Sequence, residues 1–98
     1  MKYEFHPEAE QEFLAAATRY EREVPGLGDQ FGTEVLRIIE LLLSNPQLGA
    51  LIEGELRHFV LRRFPYSVIY AATSEKLYVL AVAHGHRKPG YWASRSDR

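Results

Sequence analysis

Nine consecutive residues near the end of the chain, His84-Gly85-His86-Arg87-Lys88-Pro89-Gly90-Tyr91-Trp92, gather two imidazoles, two cations and two aromatic rings. Cleavage of RNA by its own 2′-hydroxyl needs a base, an acid and a cation for the developing phosphorane charge. His84 or His86 beside Arg87 can fill those roles. Without proton transfer the same set is a binding surface, with Arg87 and Lys88 for phosphate and Tyr91 and Trp92 for stacking on unpaired bases. The plainer reading makes His84 a hydrogen-bonded residue at a strand end, the glycines and proline a turn, and Trp92 the anchor of the tail in the core. A metal site would take His84 and His86 from one side of an extended segment, with His58 across a sheet. No carboxylate sits nearby to complete it, so neither metal nor cofactor is expected.

Charge points to the same half of the chain. Up to Glu55 there are eleven acids and four bases, a net of −7; from Leu56 on, two acids face eight bases, a net of +6. Such asymmetry suggests an acidic or nucleic-acid partner for the second half, unless the halves simply neutralise each other. Arg57, Arg62 and Arg63 form a second basic group. Arg62 and Arg63 are adjacent, so at most one joins Arg87, and Arg63 is the expected one. Glu8, Glu10 and Glu12 are expected to face water as partners of a helix dipole, not as a paired-carboxylate catalytic centre. With no cysteine there is no disulfide, thiolate site or thiol nucleophile. The charged start MKYEFHPEAE is unlike a leader peptide, and no apolar run is long enough to span a membrane, so a cytoplasmic location is expected.

The elements that must position these residues fit one domain, because a second core would need roughly 50 residues of its own. A short strand at Lys2–Phe5 leads into a helix whose first position is Pro7. Ala9, Phe13, Ala16, Ala17, Tyr20 and Val24 recur at helical spacing until Pro25-Gly26. Phe31, Val35, Leu36, Ile38, Ile39, Leu42 and Leu43 make a second apolar stripe that ends at Asn45-Pro46, so the two helices form an antiparallel pair. Residues 47–55 read as a loop. Residues 56–64, 66–73 and 77–84 are rich in β-branched and aromatic types and read as three successive strands, the last two paired as a hairpin. The run Leu77-Tyr-Val-Leu-Ala-Val-Ala83 is apolar on both faces, which predicts a central strand covered by helices on one side and by the tail or a partner on the other. Residues 93–98 are expected to fray.

The order strand, helix, helix, three strands, with FHPEAEQEF at the start, PGLGDQF between the helices, NP after them, LRRFPYSVIY in the middle and VLAVAHGHRKPGYW at the end, resembles the RelE/ParE toxin superfamily over nearly the whole chain. The resemblance implies an α+β fold: a small antiparallel-dominated sheet with a helical hairpin on one face. It also implies a cognate antitoxin protein that wraps the toxin. Members divide by mechanism. RelE-like toxins cut messenger RNA on the ribosome; ParE-like toxins poison DNA gyrase without a catalytic centre. The ribonucleases resemble one another in a basic residue inside the strand that here reads Tyr66-Ser67-Val68-Ile69-Tyr70, where Ser67 takes its place, and in an arginine after the last strand, here Arg87. Ser67 and the near-neutral total charge favour gyrase, with Arg63, Arg87, Lys88, Tyr91 and Trp92 as a contact surface. In the ribonuclease alternative His84, His86 and Arg87 are catalytic. A third alternative is a relative that binds antitoxin but has lost toxicity.

Overall fold

The computed structural model describes residues 1–96. The chain runs β1 (Lys2–Phe5), α1 (Pro7–Glu23), α2 (Leu27–Ser44), β2 (Ala50–Glu53), β3 (Leu56–Val60), β4 (Tyr66–Ala72) and β5 (Lys76–His84), then a 3-10 turn at Ala93–Ser96. One sheet of order β1-β5-β4-β3-β2 results. Within it β1 and β5 pair in parallel, and β5 with β4, β4 with β3 and β3 with β2 pair antiparallel. The expected α+β architecture is present, with the helical hairpin on one face.

Helix α1 starts as Pro7 requires, and the His6 ring caps it by accepting the Glu8 amide at 3.1 Å. The Glu21 carboxylate closes the turn between the helices by accepting the amides of Gly26 and Gly28 at 2.7 and 3.0 Å. Gly26 has φ 89°, and a Cβ on Gly28 would lie 2.3 Å from the Ala17 carbonyl oxygen, so both glycines are required for so tight a reversal. Phe31, Val35, Ile39 and Leu42 of α2 pack on Val68 and Tyr70 of β4 and on Leu77, Val79 and Val82 of β5.

Two expectations fail here. Residues 47–55 are not all loop, because β2 pairs with β3 at the sheet's edge. All four β2 residues are exposed, so burial imposes no alternation that a periodicity test can detect. The tail is ordered as far as Ser96: Trp92 packs with Leu56, Ile69, Leu80, Ala81 and Ala83 and covers the sheet's second face. The last two positions of the segment expected to fray lie outside the described residues. No helix among those described is long and apolar enough to cross a membrane.

A bulge decides which face the end of β5 presents. Ile69 pairs with Ala81 but Tyr70 with Val79, leaving Leu80 as an extra residue. Leu77 and Val79 belong to the helix-side core, Leu80, Ala81 and Ala83 to the other, and Val82 returns to the helix side. The inserted residue therefore turns Val82 and His84 toward α1.

Candidate nucleic-acid interface

Between α1 and the end of β5 lies an open cleft of about 470 Å³, lined by Glu12, Ala15, Ala16 and Arg19 of α1, Tyr66 of β4, Val82 and His84 of β5, and His86 and Arg87. Three of the residues singled out in the sequence, His84, His86 and Arg87, thus meet in one place. Residues 12, 15/16 and 19 recur at helical spacing, so one row of α1 forms the opposite wall.

The cleft is rich in donors. The Tyr66 hydroxyl accepts from Arg19 Nη2 at 3.1 Å, which leaves its own proton free to donate. The His86 amide donates to His84 Nδ1 at 2.9 Å, so a neutral His84 carries its proton on Nε2. The His84 ring meets those of Tyr66 and His86 edge-on, each with centroids 5.0 Å apart. Arg87 lies with Cζ 3.8 Å from the centre of the Tyr91 ring. Neither Arg19 nor Arg87 joins an ion pair among the described residues.

Glu12, expected to face water, instead turns to the sheet. Its carboxylate accepts the Val82 amide at 3.0 Å, the Tyr91 hydroxyl at 2.8 Å, and Arg95 Nη1 and Nη2 at 3.1 and 2.9 Å. Arg95 also donates to the Leu80 carbonyl at 3.0 Å and pairs with Glu8 at 3.1 Å. Beyond Phe5, where β1 ends, Glu12 and Arg95 thus take over two edge hydrogen bonds of β5. Burial, then the bond to Glu12, pushes the Tyr91 hydroxyl above the ordinary tyrosine range, so it stays a donor. Burial acts to lower the Arg95 pKa, but its bonds and charge interaction with Glu12 outweigh this and raise it.

The remaining expected residues lie elsewhere. Trp92 is only 8% exposed in the second core, so its ring is not presented for base stacking. Arg63 does not join Arg87: the chain bends after β3, and Arg63 bonds Gln30 at 3.2 Å and faces Glu34 at 3.6 Å, beside α2. Arg62 lines a separate groove of about 620 Å³ with Ile38, Leu41, Phe59 and Val60. Lys88 is exposed next to Arg87. His58 sits mid-sheet in β3, paired to Ala50 and Ile69, away from the cleft lining. No group of three or more His, Cys, Asp or Glu among the described residues could hold a metal ion. Sequence reasoning missed Arg19, Tyr66, Glu12 and Arg95. The spacing of Glu8, Glu12, Ala15 or Ala16, and Arg19 along one helix row was the available signal for the α1 wall.

No curated protein matches the chain in sequence. Among solved structures, a chain of the chromosomal ParDE toxin–antitoxin system from P. aeruginosa superposes with a TM-score of 0.73 at 16% identity, covering 86% of this chain and 95% of that one. The isolated RelE toxin of E. coli superposes with a TM-score of 0.65 at 17% identity, covering 96% of this chain and 94% of that one. At such identities these likenesses show a shared fold. The family model of the ParE toxin of the parDE type II toxin–antitoxin system matches residues 3–89, and the chain therefore belongs to that toxin family.

Proposed function

We propose that this toxin arrests bacterial growth by inhibiting DNA gyrase and is neutralised by a cognate antitoxin. The observation that carries the reading is the match of residues 3–89 to the ParE toxin family. Three structural features support it. Ser67, at the place of the ribonucleases' strand base, alternates with Tyr66 and Val68 and so falls on the face away from the cleft. Trp92 is buried and Tyr91 is engaged by Arg87 and Glu12, so neither ring is free to stack on a splayed RNA strand. The antitoxin has an apolar surface available to it in the groove of Ile38, Leu41, Phe59 and Val60.

The ribonuclease reading keeps one observation in its favour, the convergence of His84, His86, Arg87, Arg19 and Tyr66 in one cleft. Pulse-labelling after induced expression separates the two. Early failure of DNA synthesis with a damage response is the expected result. Early failure of protein synthesis would overturn it in favour of messenger-RNA cleavage. Unimpaired growth would identify a relative that has lost toxicity.

A further inference from the structure

We propose that the cleft grips the phosphodiester backbone of duplex DNA, with Arg19 of α1 acting as a clamp opposite Arg87. The choice of duplex DNA rests on the gyrase reading, and it places the toxin against the nucleic acid that gyrase holds as well as against the enzyme.

Arg19 is held by a hydroxyl and Arg87 by an aromatic ring, both neutral partners, so two positive charges face the cleft without a carboxylate to cancel them. The one acid in the lining, Glu12, is already engaged by Arg95, the Tyr91 hydroxyl and the Val82 amide. The polar hydrogens left over point the same way: the Tyr66 hydroxyl, His84 Nε2–H and the remaining guanidinium N–H groups are all donors. A lining of donors and uncompensated cations selects an anion, and planar guanidinium forks suit phosphate oxygens.

Base recognition in single strands needs free aromatic faces, but Trp92 is buried, Tyr66 is 6% exposed, and one face of Tyr91 is covered by Arg87. With the larger aromatic faces withdrawn and the exposed His86 ring set edge-on against His84, such a site engages phosphates ahead of bases, which matches a duplex that stacks its bases inside and displays phosphates outside. The net charge of −1 keeps general attraction to nucleic acid low, so what binding there is depends on these few contacts.

Fluorescence anisotropy of the purified toxin with a labelled duplex DNA oligonucleotide, over a range of salt concentrations and without gyrase, tests the proposal. Two phosphate contacts predict a log–log salt slope of about −2, and Arg19→Gln and Arg87→Gln should each reduce it by about 1 and weaken binding several-fold. Arg37→Gln, which removes an exposed cation on α2 outside the cleft, should leave binding unchanged. Arg19 and Arg87 are exposed, and a thermal melt of each variant checks that the fold survives. Absence of duplex binding, or wild-type binding by both cleft variants, overturns the proposal. So does tighter, cleft-dependent binding of single-stranded RNA. A parallel supercoiling assay keeps the two claims apart. Gyrase inhibition by variants that bind DNA normally sinks the clamp alone, and cleft-dependent DNA binding with uninhibited gyrase sinks the gyrase reading alone.

Discussion

Replacing Arg95 by methionine should be among the costliest single changes outside the apolar core. The side chain is 9% exposed and makes contacts to both Glu12 oxygens, to Glu8 and to the Leu80 carbonyl. Methionine retains much of the apolar stem but none of the donors. The Glu12 carboxylate, 16% exposed, then loses its cation beside the sheet, and the Leu80 carbonyl loses its donor. Stranding one member of a fully buried pair costs about 3–5 kcal/mol. Water can reach part of Glu12, so about 2–3 kcal/mol is expected here. For a chain of this size that lowers Tm by roughly 10 °C. Urea unfolding of the wild type, Arg95→Met, Glu12→Gln and the double variant provides the assay. The double variant should lose less than the sum of the single losses, because neither leaves a stranded charge once both are changed. A loss below about 0.5 kcal/mol for Arg95→Met, at the level of an ordinary surface change, would refute the claim that this pair fastens the tail to α1.

Three further outcomes are expected. Trp92→Ala should cost about 3–5 kcal/mol in urea unfolding, since it empties the centre of the second core; a surface-sized loss would mean that the ring is not anchored there. Tyr70→Phe removes the hydroxyl that accepts the Gly49 amide and donates to the Pro46 carbonyl, at 2.9 and 2.8 Å, and should cost about 1–3 kcal/mol. Hydrogen exchange at the Gly49 amide should accelerate with it, and unchanged protection would contradict that role. The Gly26 amide holds the Glu21 carboxyl below its usual range. Its contribution is therefore present above the ordinary glutamate pKa and lost as pH falls through the lowered one. The stability difference between wild type and Glu21→Gln should shrink on acidification, and a difference that grew would reverse the assignment.

The two helices and the three long strands were legible because each buries one face or both, and burial imposes a period on residue type. Strand β2 has no buried face, so Ala50, Leu51 and Ile52 run together without the polar–apolar alternation that marks a strand, beside the glycines of a loop. The tail misled for a related reason. Ser94, Arg95 and Ser96 look like solvent-exposed residues, and it is partners far back in the chain, Glu8, Glu12 and the Leu80 carbonyl, that give Arg95 a reason to be buried. His84, His86 and Arg87 could be found because their chemistry is concentrated in a few adjacent positions. Arg19 belongs to the same cleft but lies far back in the chain, where one arginine on an acidic helix carries no local distinction. The bulge at Leu80 left no trace that alternation could detect, because that strand is apolar on both faces.

The pairing of β1 with β5 has a consequence for how the molecule comes into being. Lys2 finds its sheet partner only at Lys76, and Glu12 its guanidinium 83 positions later. A nascent chain leaving the ribosome exposes an acidic helical hairpin first and makes the positively charged second half afterwards. The cleft between α1 and β5 is therefore assembled by late, long-range closure, which is slow compared with local helix formation. Until that closure the cleft does not exist, because α1 has no β5 to stand against.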